Sequence, residues 1–185
     1  MPFLSSLPED AGVRHAMALN PEAGRALVHL HTAVMRGPSP LTAAERELLA
    51  AYVSALNGCR YCHGVHAATA RHFGIAEGLL EAMVTDLESA PLPDRLRPIM
   101  AYARKLTLTP GRMTAADARA VIDAGWDERT LHDAVAVVCL FNFMNRFAEG
   151  HGITGDAALF EERGRELAEG GYDPLLKLME RPRRG

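Results

Sequence analysis

The sequence predicts an all-α fold, and three observations carry that reading. No run of residues alternates apolar and polar side chains cleanly enough for a half-buried strand. Apolar residues instead recur at helical spacing through most of the chain. Proline, glycine and capping residues fall between these runs, where helices begin and end. With 185 residues and no linker long enough to separate two cores, residues 1–185 read as a single domain with ample length for a core.

The elements follow in order. Pro8 and Pro21, each preceded by turn or cap chemistry, place helices over 8–19 and 21–36. His29 and His31 on the second are two apart, so they cannot share a face, and one is expected partly buried and the other solvated. Gly37-Pro38-Ser39-Pro40 makes the next turn. Thr42 and Glu45 have the capping-box form and start a helix over 43–56. Its bulky side carries Leu48, Leu49, Tyr52, Val53 and Leu56. Glu47 lies opposite, with Ala50, Ala51 and Ser54, whose small side chains let a second helix come close. Asn57-Gly58 breaks the chain there, and the following helix runs to a left-handed cap at Gly74.

A short helix is expected over 76–87, a connector at Ser89-Ala90-Pro91-Leu92-Pro93, and a helix over 94–108 with Leu96, Ile99, Met100, Ala103 and Leu106 at helical spacing. Pro98 is tolerable near its first turn, and Pro110-Gly111 closes it. Thr114 and Asp117 cap a helix over 114–124, stopped by Gly125. The stretch 128–149 is the most apolar and reads as the central buried helix, with Cys139 a small buried side chain. Its Asn142, Asn145 and Arg146 need partners if enclosed. Residues 43–74 hold the core signature, and 94–150 form a second helical half, in which 114–150 repeats the helix, glycine, helix pattern without its cysteines. Terminal helices over 156–169 and 174–180 flank Gly170-Gly171, and the basic stretch 181–185 reads as frayed.

Bulk properties limit the function classes. A formal net charge of −3 and a 48% hydrophobic composition fit a soluble globular protein with no general attraction to nucleic acid or anionic membrane. MPFLSSLPED lacks the features of a secretory signal, and no apolar window is long enough to span a membrane. Three cysteines are too few for a disulfide framework, which points to a reducing cytoplasm.

The chemistry concentrates in ELLAAYVSALNGCRYCHGVHAATARHFG, residues 47–74. On a helix, Cys59, Cys62, His66, Ala70 and Phe73 share one stripe, and Cys62 and His66 are neighbours at i, i+4. Cysteines in a first turn meet unpaired backbone N–H groups and the positive end of the helix dipole, both of which favour a thiolate. Glu47 arrives from the preceding helix. Two thiols, an imidazole and a carboxylate make a redox or acid/base site, because a thiol attacks only as thiolate.

The pattern of Glu47, eleven residues, Cys59-x-x-Cys62, three residues and His66 resembles the active-site signature of the alkylhydroperoxidase AhpD and carboxymuconolactone decarboxylase superfamily, in particular its peroxidase-related branch. The wording ALNGCRYCHGVH carries the resemblance, and FNFMNRFAEGHG at 141–152 is similar to the Asn-Arg helix of the longer members. The resemblance implies an AhpD-like helical bundle assembled as trimers or multiples of them, and a cysteine-based peroxidase without haem or flavin. Carried over by position, Cys62 forms the sulfenic acid, Cys59 donates a proton and resolves it into a disulfide, and Glu47 acts through His66. The substrate would be a hydroperoxide, and a lipoyl-bearing or thioredoxin-like dithiol protein would restore the thiols.

Tyr61 departs from the pattern, standing where the best-known relatives carry a second histidine. A tyrosine with its ordinary pKa near 10 cannot relay protons near neutrality, and His63 lies off the stripe by roughly 40°. The alternatives are a lactone decarboxylase with the cysteines as bystanders, a zinc site on Cys59, Cys62 and His66 that lacks a fourth ligand, and a non-enzymatic redox-sensing oligomer. His15, His72, His132 and His151 have no partner pattern.

Overall fold

A computed structural model describes residues 1–180; the basic stretch 181–185 lies outside the described residues. All regular structure among them is helical, without a strand. In order come α1 (Val13–Ala18), α2 (Pro21–Arg36), α3 (Ala43–Leu56), α4 (Arg60–His72), α5 (Leu79–Thr85), α6 (Arg97–Leu108), α7 (Ala115–Asp123), α8 (Glu128–Gly150), α9 (Ala157–Gly170) and α10 (Leu176–Met179). Single 3₁₀ turns occupy Pro110–Arg112 and Asp173–Leu175. No helix among the described residues is long and apolar enough to cross a membrane.

Most boundaries follow the local chemistry. Asn20 caps α2 with Pro21 in its first turn, and Thr42 and Glu45 bond reciprocally at the start of α3. Four predicted helices are shorter than the sequence suggests. α1 begins at Val13 rather than at 8, because the His15 ring accepts the Gly12 N–H and sets the start there. Gly78, at φ 81°, blocks upstream extension of α5. α6 starts at Arg97 because Pro98 is compatible only with the first turn. The expected helix over 174–180 is a 3₁₀ turn followed by one short α-helical turn.

α3, not α8, is the enclosed helix. Ten consecutive residues from Glu45 to Ser54 are buried, with α2, α4, α5, α6 and α8 packed around them. α8 buries Val137, Val138, Phe141 and Met144 but leaves a face open, where Phe143 is 49% exposed. Cys139 lies on that open face and is exposed, which corrects its reading as a core side chain. A uniformly apolar composition hid which side of α8 the neighbours leave uncovered.

Two close approaches orient the site. Arg46, buried on α3, donates to the Val34 and Gly37 carbonyls at 2.9 Å and ties down the end of α2. Gly164 of α9 rests directly on α4, where a Cβ would come 2.5 Å from Ala68 Cβ and 2.8 Å from the Thr69 nitrogen. Because one of those obstacles is backbone, Gly164→Ala is expected to cost roughly 1–3 kcal/mol, read as a lower thermal midpoint by circular dichroism.

Candidate active site

The α3–α4 junction sets the site. Gly58, at φ 71°, turns the chain, the Cys59 N–H returns to the Ser54 carbonyl at 3.0 Å, and Cys59 becomes the N-cap of α4. Cys62 follows in the first turn, with its sulfur 4.0 Å from the Met144 carbonyl oxygen. Hydrogen bonds from the Cys62 thiol and then the Cys62 N–H hold the Cys59 thiol below its ordinary value, against burial and the Glu149 carboxylate. Cys62 is pushed well above its ordinary value, first by that bond to Cys59 and then by burial. The pair therefore holds one shared proton more readily than it loses both.

An amide steadies Cys62 from the other side. Buried Asn145 of α8 bonds to the Cys62 thiol and favours its ionised form. Asn145 Nδ2 donates to Ser54 Oγ at 2.9 Å, and Asn57 Nδ2 donates to Asn145 Oδ1 at 2.9 Å. The polar residues that the sequence marked on α8 thus find partners within the chain, and Arg146 bonds to Asn142.

Glu47 has no exposed surface. Its Oε2 lies 2.6 Å from His66 Nδ1, and its Oε1 lies 2.7 Å from Arg36 Nη1 and accepts the Tyr172 hydroxyl at 3.1 Å. Burial pushes the carboxyl up, but His66 and Arg36 outweigh it and hold it below its ordinary value. An ionised carboxylate only accepts, so the His66 Nδ1 carries hydrogen and Nε2 remains free for another partner. The His66 ring stands edge-on to Phe141, 4.5 Å between centroids.

Cys62 and His66 line a cavity of about 550 Å³ whose other walls are chiefly apolar, from Val13, Met17, Val65, Phe141, Met144 and Leu178. Residues 170–172 and several of 174–178 form one side of it. Tyr61 is buried against Phe160, and burial raises its hydroxyl above the ordinary value. His63 turns away to the Ala51 carbonyl at 3.2 Å and does not line this cavity. Among the described residues, no group of three or more His, Cys, Asp and Glu side chains could hold a metal ion.

The structure thus joins Glu47 to His66 and Cys59 to Cys62, and sets His66 one turn beyond Cys62 on the cavity wall. Sequence reasoning missed Arg36 and Tyr172. Nothing in local spacing marks Arg36 or Tyr172 as neighbours of Glu47, since Arg36 reaches it from the preceding helix and Tyr172 from far along the chain. His31 is the buried histidine of its pair, donating through Nδ1 to the Leu27 carbonyl at 2.7 Å and packed on Tyr172, while His29 is exposed.

Comparison with known proteins places the chain as a whole. Residues 21–105 match the model of the carboxymuconolactone decarboxylase family. A peroxidase-related protein from Silicibacter sp. TM1040, itself uncharacterized, is 31% identical with a TM-score of 0.75, over 83% of this chain and 80% of that one. A second uncharacterized peroxidase-related protein, from Ralstonia eutropha JMP134 and described as an alkylhydroperoxidase AhpD core, is 27% identical with a TM-score of 0.74, over 82% and 79%. A protein of unknown function from Agrobacterium tumefaciens shares the fold at 22% identity, with a TM-score of 0.69 over 76% and 95%. No curated protein matches the chain. The chain belongs to the carboxymuconolactone decarboxylase family, in its AhpD-like, peroxidase-related branch.

Acid should weaken the protein in two stages. Burial lowers the His31 pKa from 6.5 to about 4, so the unfolded chain binds this proton first and stability falls with pH through that window. The loss from about pH 7 to about pH 5 should be roughly 2 kcal/mol. Urea unfolding should show it, and His31→Phe should remove most of it. Glu47, lowered in the fold, stabilises above its ordinary 4.5 and loses that contribution as pH falls through its folded value, a slope that Glu47→Gln should abolish.

Proposed function

We propose that this protein is a thiol peroxidase that reduces organic hydroperoxides with the Cys59–Cys62 pair. The observation that carries this reading is the place of Cys62, on the wall of an apolar cavity beside His66, whose other nitrogen is held by a buried carboxylate. Cys139, exposed and remote in sequence, has no part in it.

The shared proton gives the pair a way to react. Cys59 ionises more readily than Cys62, so the first proton the pair loses comes from Cys59. When a hydroperoxide enters, the proton moves to Cys59, and the Cys62 thiolate attacks the terminal peroxide oxygen. The O–O bond breaks, the departing alkoxide takes the proton from Cys59 and leaves as alcohol, and Cys62 is left as a sulfenic acid. The Cys59 thiolate then attacks Cys62 sulfur, forming the disulfide and releasing hydroxide, which takes a proton by way of His66 to become water. Glu47 steadies the imidazole as it gains and passes on that proton. A dithiol donor supplies the two electrons that restore both thiols.

Tyr61 cannot replace a second histidine in this scheme, because its hydroxyl is held above its ordinary range. Proton movement then rests on His66 and the two sulfurs. Assembly of several copies belongs to the same reading, supported by the exposed Leu108 and Phe143.

With cumene hydroperoxide and dithiothreitol, the wild-type protein should turn over, and a single peroxide equivalent should remove two hydrogens from the 59/62 pair by mass. Cys62→Ser should lower turnover at least about 100-fold. Glu47→Gln should lower it roughly 10- to 100-fold while the fold persists. Undiminished turnover in both Cys59→Ser and Cys62→Ser would end the thiol reading.

A further inference from the structure

Two imidazoles line the apolar cavity. His31 of α2 stands in its wall as His66 does, and both rings are edge-on to Phe141, with centroids 6.3 and 4.5 Å from it. His31 keeps only 4% of its surface. A carbonyl has no hydrogen to give, so the His31 Nδ1 that meets the Leu27 oxygen at 2.7 Å carries the hydrogen of the ring. Burial lowers its pKa to about 4, and the ring is neutral near pH 7. Nε2 is therefore a bare acceptor; it has no hydrogen-bonding partner among the described residues, yet it is not sealed from the cavity. Tyr172, packed on the ring at 5.1 Å, and the bond to Leu27 hold it in this orientation.

The surrounding donors are committed elsewhere. Tyr172 gives its hydroxyl hydrogen to Glu47, Tyr61 sets its hydroxyl against Gly12, Arg163 is held by Glu166 at 2.5 Å, and Lys177 is exposed. A molecule that brings an O–H into the cavity satisfies Nε2, whereas one that brings only acceptor oxygens loses their water and gains nothing from this ring. Resting on the peroxidase reading, we propose that His31 Nε2 accepts the O–H of the incoming hydroperoxide, so that the cavity selects molecules with a hydroxyl hydrogen over dialkyl peroxides, ethers and lactones of like size.

The two rings divide the work according to what stands behind them. When Cys62 attacks, the O–O bond breaks, but the hydrogen stays on the terminal oxygen and becomes the hydroxyl of the sulfenic acid. The group that holds it must bind it without taking it. His31, with a neutral carbonyl at its other nitrogen, is a weak base and does so. His66, backed by the Glu47 carboxylate, is the ring that gains and passes on a proton.

The test uses an inert mimic on the reduced protein, so it needs no turnover. In 2-methyl-2-phenylpropan-1-ol a CH₂ group replaces the inner peroxide oxygen of cumene hydroperoxide, and the hydroxyl keeps the place of the outer one. By titration calorimetry the wild-type protein should bind this alcohol about 10-fold more tightly than its methyl ether. His31→Phe, which keeps the bulk of the ring and loses Nε2, should bring that ratio to about 1. Equal binding by the wild-type protein overturns the proposal, and so does a preference that survives in His31→Phe, because a purely steric objection to the ether would survive there. A second measure is independent of how the variant folds. In wild-type protein labelled with ¹⁵N in its histidines, saturation with the alcohol should move the His31 Nε2 resonance and saturation with the ether should not; a resonance that ignores the alcohol overturns the proposal. If the alcohol behaves as expected but hydroperoxide is not consumed, the peroxidase reading fails and the hydroxyl site stands. If hydroperoxide is consumed but alcohol and ether bind alike, the hydroxyl site fails and the peroxidase reading stands.

Discussion

A carboxylate cut off from water organises this molecule. Glu47 is fully enclosed, and a bare charge there would cost several kcal/mol, so the fold has to deliver compensating groups to its two oxygens. It does so from three directions: Arg36 at the end of α2, His66 in the middle of α4, and Tyr172 after α9. Arg36 also lies over the Phe73 and Tyr172 rings and donates to the Leu167 carbonyl, so its position is fixed by more than the charge it serves. The small face of α3, where Ala50, Ala51 and Ser54 stand beside Glu47, is what lets α4 approach closely enough for the imidazole to arrive.

The second half of the site depends on how α4 begins. Cys59 as N-cap and Cys62 in the first turn set the two sulfurs together at the start of α4, and Asn145 brings a neutral amide to Cys62. Ser54 links the two halves, since it receives Asn145 and lies on the same helix as Glu47. The thiol pair and the carboxylate are therefore held by separate partners, with His66, one turn beyond Cys62 on α4, bonded to the carboxylate.

Much of this was legible in the sequence because it rests on local chemistry. The Thr42–Glu45 cap, the Asn57-Gly58 break and the helical stripe through Cys59, Cys62 and His66 need only spacing and residue type. Glu47 was placed toward α4 by the small residues around it. Arg36 and Tyr172 were not legible, because neither shares a helix with Glu47 and no periodicity encodes a contact between separate elements. Cys139 was misplaced for a related reason: an apolar run identifies a helix that packs, but which side remains uncovered depends on where its neighbours sit. The early starts assigned to α1 and α6 reflect proline and apolar residues in turns that precede the helices.

Residues 170–178 contribute to two structures at once. They supply one side of the cavity, and through Tyr172 they supply one of the hydrogen bonds on Glu47. The segment is fastened by Thr32 to Asp173 and by Arg25 to the Met179 carbonyl. Through Tyr172, this strap couples a wall of the chamber to a carboxylate that lies behind the lining rather than on it.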